Sequence, residues 1–372
     1  MTTFAGLRLL LVGPVPPPAG GMANQTRQLR ELLQQAGADV ALLPTNAAYR
    51  PAWVGRVPVL RALFRLAGYL VALWLHVGRV QVVHVMANSG WSWHLFAAPA
   101  LWVAWLRRVP VVVNHRGGEA GEFLARSAGL VRLSMRRAAR LVVPSGFLEA
   151  VFRGHAMPSD VVPNIIDTQR FRPAEAGEPR PAQQLLVARN LEPIYGNDLA
   201  LQAFALVRSH HPQARLVIAG SGPLETALHD QARALGVADA VQFTGRLDRE
   251  PMAALLRAST VSINPTRVDN MPNSVLEAMA SGVPVVSTAV GGVPFIVRDA
   301  ETALLVPAED PRALADAVCR LLNDPGAARA MAERARADVQ RYTWAQVAPQ
   351  WAAVYRQALQ RTPGRALTEP LE

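Results

Sequence analysis

A single cysteine, Cys319, stands among 372 residues, so neither an intramolecular disulfide nor a cysteine-based zinc site can form. Lysine is missing altogether, and all 38 basic residues are arginine. Schiff-base chemistry and a Walker phosphate loop both need lysine, and both are excluded. A GC-rich coding sequence is the simplest source of that bias. The longest uncharged apolar run in the 57–80 stretch, Leu66–Gly78, has 13 residues, short of the ~20 that span a bilayer. The N-terminal MTTFAGLRLLLVGPVPPP runs into a Gly/Pro loop without a small-residue cleavage pattern, so a cytoplasmic location is expected. No short repeat, low-complexity tract or nucleic-acid motif is visible, and no nucleic-acid partner is expected. Disorder is excluded by the 51% hydrophobic content, with 26 Gly and 29 Pro spread along the chain.

The charge is unevenly placed. Residues 1–170 carry 18 Arg against 7 acids, a balance of +11, whereas residues 171–372 carry 20 Arg against 21 acids. The basic half calls for an anionic neighbour, a phospholipid surface or a lipid diphosphate. Strand-like apolar runs alternate with helical patterns, which indicates parallel α/β sheets. Strands are expected at 7–13, 38–43, 81–86, 109–114 and 141–144, then at 185–188, 215–219, 241–244, 261–264, 283–287 and 303–306. Two doubly wound, Rossmann-like domains follow, 1–167 and 180–345, joined through the polar, Pro-rich 168–183, with an inter-domain cleft between their sheets. A helical tail, 346–372, is a candidate to cross back onto the first domain. Ligands of such sheets bind outside the carboxyl ends of the strands.

The stretch 261–297, VSINPTRVDNMPNSVLEAMASGVPVVSTAVGGVPFIV, contains in order acid-x-x-Pro-Asn-x-x-x-Glu-Ala, Ser-Gly-x-Pro-Val-Val and Gly-Gly-x-Pro. It resembles the donor-binding region of the retaining family 4 glycosyltransferases of the GT-B fold. GPVPPPAGG, IAGSGP (218–223) and TGRLDREPMAALLRAS (244–259) are similar to other parts of that family. The likeness extends over almost the whole chain and is weakest over about 45–80. It implies a nucleotide-sugar donor (UDP- or GDP-sugar) bound mainly by the second domain, an acceptor bound mainly by the first, and transfer of a hexose-type sugar with retention. No Asp-x-Asp metal-diphosphate signature occurs, so neither a metal nor another cofactor is expected.

The resemblance assigns roles residue by residue. Glu277 would bind the donor ribose through two hydroxyl hydrogen bonds, chemistry a carboxylate suits. Asp269, one methylene shorter than the family's usual glutamate, would lie near the transferred sugar. The backbone of Asn270, Met271, Pro272, Asn273 and Ser274 up to Val275, with N–H donors at all but Pro272, surrounds a helix start near Asn273. There, unpaired N–H groups favour an anion or sugar hydroxyls, although an ordinary helix start reads the same way. Arg189 would contact the diphosphate. Tyr195 stands where the family usually has lysine, and either supplies a hydroxyl donor or only packs; either Arg189 and other groups suffice without that charge, an arginine such as Arg246 being a candidate substitute, or activity is low or lost. Gly20 and Gly21 would line the donor loop or merely turn the chain after a proline run. Backbone at Gly220, Gly222, Gly245 and Arg246 would meet the base. His115 would sit by the sugar's reactive end, followed by an acceptor loop of Arg116, Gly117, Gly118 and Glu119. His84 and His94 read as core.

For 57–80, a helix packed on the first sheet and a helix lying on an anionic membrane both stand, the charge favouring peripheral contact. Trp91–Leu106, with four tryptophans, reads as a buried helix or as a wall for an apolar acceptor tail. The acceptor indicated by family habit is a carbohydrate or lipid-linked glycan of a bacterial surface polymer, handled at the inner face of the membrane. Two other readings stay open: a binding subunit without turnover, motivated by Tyr195, and a nucleotide-sugar epimerase.

Overall fold

The computed structural model describes residues 4–17, 20–46, 58–175 and 183–360. The chain divides into two compact units, Met1–Asn164 with Ala345–Glu372, and Ile165–Trp344. In the first, the elements run β1 (Arg8–Gly13), α1 (Gly21–Gln35), β2 (Asp39–Pro44), α2 (Pro58–Val77), β3 (Val82–Ala87), α3 (Ala98–Leu106), β4 (Val111–His115), α4 (Ala120–Met135), β5 (Arg140–Val143), α5 (Gly146–Gly154) and β6 (Asp160–Val161). The six strands are all parallel, in the order β2-β1-β3-β4-β5-β6. Strand β6, two residues long, leaves no apolar pattern in the sequence. It is held by register with β5 and by the Arg140–Asp160 ion pair, whose Nε–Oδ2 distance is 2.7 Å.

The second unit continues with β7 (Gln184–Val187), α6 (Asn197–His210), β8 (Arg215–Ala219), α7 (Glu225–Ala234), β9 (Val241–Gly245), α8 (Arg249–Ala258), β10 (Val261–Asn264), α9 (Asn273–Ala280), β11 (Val285–Thr288), β12 (Leu304–Val306), α10 (Pro311–Asn323) and α11 (Pro325–Val339). Its parallel sheet has the order β12-β11-β10-β7-β8-β9, so the chain reverses direction across the sheet between β7 and β10. Two doubly wound α/β units are thus present, as the apolar runs required. Both faces of each sheet are covered, which explains runs without alternation. In the second sheet Leu185, Val187, Leu216 and Ile218 enter one core layer, while Leu186, Val217 and Ala219 enter the other.

Two placements differ from the sequence reading. Residues 165–175 do not form a free linker: Ile166 and Phe171 are buried in the second unit, and the Ile166 amide donates to the Tyr342 carbonyl at 2.9 Å. The rest of the expected linker, 176–182, and the end of the tail, 361–372, lie outside the described residues. Trp91–Leu106 is not one buried helix. A π-helical turn at Trp93–Ala97 runs into α3, and although Trp93 is buried, Trp91 is 78% exposed and Trp105 and Leu106 also face solvent.

The final helix, α12 (Trp344–Gln360), belongs from Ala345 onward to the first unit. It covers the sheet face opposite α2–α5: Trp351 is fully buried with its ring 4.9 Å from that of His84, and the Tyr355 hydroxyl lies 2.8 Å from His84 Nδ1. Replacing Trp351 with alanine is expected to destabilise the protein by roughly 4 kcal/mol, the cost of a large unfilled core side chain, as read from urea unfolding.

Candidate functional site

Strand order reverses between β7 and β10, and ligands of open α/β sheets bind outside the carboxyl ends of the strands at such a point. Arg189 follows β7 and reaches across to β10. Its Nε donates to Asn264 Oδ1 at 2.7 Å, and its Nη2 is ion-paired with Asp269, both side chains being 11% exposed. The Asn264 amide is itself fixed by donation to Ser287 Oγ on β11 at 2.8 Å. The Tyr195 ring lies under the guanidinium, 5.1 Å from centroid to Cζ. Burial pushes the Arg189 pKa down to about 10, while Tyr195 and Glu277 favour its charge. The Nη1 edge has no hydrogen-bond partner among the described residues and is the donor left for a ligand.

Helix α9 starts at Asn273, with Pro272 as its N-cap and no side-chain cap. Asp269 lies before it and Glu277 within it, so the acids sit on different elements. One expected donor is taken: the Asn270 amide bonds Asp269 Oδ1 at 2.8 Å and is not available to a ligand. Asn270, Met271 and Pro272 are buried, and Asn273 and Ser274 half-buried. Ser274 Oγ is buried without a partner, a polar atom awaiting one at the helix start. Glu277 is half-buried, and burial raises its carboxyl to about 7, against the pull of Arg249 and Arg189. Arg249, at the start of α8, is therefore the second cation within electrostatic reach of this group. Arg246, the expected substitute, is exposed, and no described contact ties it to these residues; Gly245 ends β9 beside it.

Close backbone approach explains three glycines here. A Cβ on Gly220 would stand 1.9 Å from the Arg189 carbonyl oxygen, and one on Gly292 would stand 1.6 Å from that of Asn270. Gly222 packs likewise against the backbone of Leu191. Arg267 completes the support: it holds Asp198 through two bonds of 2.8 Å and the Pro193 carbonyl at 2.7 Å, anchoring the turn that carries Tyr195.

In the first unit, Gly20 is the N-cap of α1 in an extended conformation, and Gly21 is its first residue. A Cβ on either would meet nothing within 4 Å. Among the described residues, neither a positive φ nor a close neighbour requires glycine at these two positions. His115 ends β4 and is fully buried between Trp93 and Phe152. Burial lowers its pKa to about 3, so it is neutral, and Nδ1 has no partner among the described residues. Nε2 has only a 3.5 Å contact with Ser89 Oγ.

Arg116 follows and is half-buried. It donates to Asn114 Oδ1 at 2.8 Å, to Gln25 Oε1 at 2.6 Å and to Asn164 Oδ1. These are all neutral acceptors, and no carboxylate pairs with it among the described residues. Gly117 is buried and Gly118 half-buried; Glu119 is exposed. Asn114 also bonds His84 Nε2 at 3.0 Å, which makes Nδ1 the protonated nitrogen that donates to Tyr355. Among the described residues no three His, Cys, Asp or Glu gather as metal ligands would.

The sequence reading missed Asn264, Arg249 and Gly292 as parts of the site. Asn264 had a signal, a polar residue ending a buried strand; Arg249 had none.

Residues 168–338 match the family described as glycosyl transferases group 1, and residues 19–170 the one described as glycosyltransferase family 4. A D-inositol 3-phosphate glycosyltransferase from Acidothermus cellulolyticus is 37% identical over 215 residues, 54% of this chain and 48% of that protein, so the chain spans about half of that relative's length. A glycogen synthase from Mycobacterium tuberculosis is 30% identical over 400 aligned positions, covering 94% of each. Among solved structures, Anabaena HepE in complex with UDP and glucose shares the fold, with a TM-score of 0.74 at 17% identity over 94% of this chain and 99% of that one.

Removing one partner of a nearly buried ion pair strands the other. Asp269→Ala is expected to destabilise the protein by about 3 kcal/mol, measured by urea unfolding.

Proposed function

We propose, for a chain that belongs to the family 4 glycosyltransferases and carries their GT-B fold, that it moves a hexose-type sugar from a nucleoside diphosphate to an acceptor hydroxyl with retention of configuration. The observation that carries this reading is Arg189, held between Asn264 and Asp269, beside the start of α9 and its Ser274 hydroxyl, with Nη1 and that hydroxyl both lacking a partner among the described residues. A fixed guanidinium edge and a helix start together suit a diphosphate. UDP is the base-bearing group favoured first, since HepE, of like fold, was solved with UDP and glucose.

In this mechanism the bond from the anomeric carbon to the diphosphate oxygen breaks, and the acceptor oxygen bonds that carbon on the same face. The acceptor's proton passes to the departing diphosphate. Arg189 and the α9 amides stabilise the developing charge in place, without reorganisation. Tyr195 holds the guanidinium plane and brings one hydroxyl where a lysine would bring a charge. Ionised Glu277 accepts hydrogen bonds from the ribose. Neutral His115, buried against Trp93 and Phe152, shapes the wall at the end of β4 and does no acid–base work near neutrality. Arg116, which has no carboxylate partner among the described residues, supports an acceptor bearing an anionic group, as a lipid-linked glycan of a surface polymer does. The diphosphate charge rests on protein donors in this scheme, so turnover persists in EDTA.

Tyr195 is the observation that favours a binding subunit without turnover. The deciding experiment supplies UDP-glucose with candidate lipid-linked and free glycans and follows UDP release and the product's anomeric proton by NMR. The reading predicts UDP release and an α-linked product from the α-linked donor; tight donor binding without release or transfer contradicts it. A second outcome follows from Glu277. Because its carboxyl titrates at about 7 and only the ionised form accepts both ribose bonds, donor affinity rises as pH rises through 7. In Glu277→Gln the affinity is independent of pH in that range and, at pH 8, weaker by roughly tenfold or more, the loss of a charged hydrogen bond. Isothermal titration at several pH values measures both.

A further inference from the structure

Helices α2, α3 and α4 lie side by side on one face of the first unit's sheet. Their inner residues are core: Leu73 and Val77, Leu101 and Ala104, Leu124 and Val131. Their outer residues break the rule that the solvent face of a surface helix is polar. On α2 the outward stripe at three- and four-residue spacing is Val71, Trp74 and Leu75, exposed by 60%, 47% and 54%. On α3 it is Trp105 and Leu106, and on α4 Leu130 and Leu133, 64% and 46% exposed. Seven large apolar side chains thus stand in water on three adjoining helices. Exposure on that scale marks a surface that meets something.

Arginine frames these residues. Arg107 lies over the Trp74 ring at 4.8 Å, and Arg137 over Trp102 at 3.3 Å and Trp105 at 5.2 Å. Arg79, Arg108, Arg126 and Arg136 are exposed around them. The only acid on the three helices is Glu122, paired with Arg126. In sequence, residues 40–118 contain no Asp or Glu at all. That charge selects the partner. A second copy of this face would set arginine against arginine with almost no carboxylate to relieve it. Lipid headgroups of negative charge satisfy the arginines, while tryptophan and leucine enter the boundary between headgroups and acyl chains. No helix among the described residues is long and apolar enough to cross a membrane, so the contact is one of lying on the surface.

We propose that the outer face of α2, α3 and α4 docks on an anionic lipid bilayer. This is independent of the transfer reaction and stands or falls on its own measurement. The whole protein is floated with vesicles of phosphatidylcholine, with and without phosphatidylglycerol. Binding is expected to be at least about tenfold stronger to the anionic vesicles and to weaken as salt is raised. Val71→Ser/Leu75→Ser/Leu106→Ser removes apolar contacts that carry no core packing, and Arg107→Glu/Arg108→Glu/Arg136→Glu reverses the charge. Each is expected to reduce anionic-vesicle binding about tenfold or more, with the thermal transition and turnover on a soluble acceptor unchanged. No vesicle binding by the wild type, equal binding to neutral vesicles, or variants that bind as the wild type does would overturn the proposal. A wild-type dimer in sedimentation that the serine variant makes monomeric, with vesicle binding unaffected, would overturn it in favour of self-association.

Discussion

The nearly buried ion pair between Arg189 and Asp269 governs the second unit's site. A guanidinium taken out of water is costly unless its donors are satisfied. Here β10 supplies Asn264 and the loop beyond it supplies Asp269, so two strand ends must lie side by side for the arginine to be tolerated. The Asn264–Ser287 bond extends the same support to β11. Gly220 and Gly292 let two further loops close against the backbones of Arg189 and Asn270. The result is a cation whose plane is fixed before any ligand arrives, which is what stabilisation of a leaving diphosphate demands.

Much of this was legible in the chain. Buried parallel strands read as apolar runs, so eleven of the twelve strands stand out as short segments rich in Val, Leu and Ile; β6 is too short to leave a pattern. Asp269, Glu277 and the start of α9 stand in one continuous motif, and their spacing gave the order acid, turn, helix. What spacing could not give was pairing across 80 residues: Arg189 meets Asp269, and in doing so the carboxylate also takes the Asn270 amide. Arg246 had looked like the missing cation, but Arg249, one helical turn further on, is the residue within reach of Glu277. Direction of a side chain from a loop depends on tertiary packing, and a sequence carries little of it.

The first unit shows the complementary situation. Its polar chain from Tyr355 through His84 and Asn114 to Arg116 is buried and made of neutral partners, so each hydrogen bond orients the next without cancelling the arginine's charge. Helix α12, far along the chain, closes that network by placing Tyr355 and Trp351 on His84. A histidine expected as plain core is thus a core residue with a specific duty in holding Asn114. On the opposite face of the sheet, α2 packs inward through Leu73 and Val77, as one reading of 57–80 expects, and leaves Val71, Trp74 and Leu75 outward.

The central claim, that Arg189 and the start of α9 receive the donor's diphosphate, is tested most directly by hydrogen–deuterium exchange of the whole protein with and without UDP-glucose. Slower exchange of amides within 189–196 and 271–277 on adding donor, with α10 and α11 unaffected, is the predicted result. Donor binding that leaves both stretches unprotected would contradict the account.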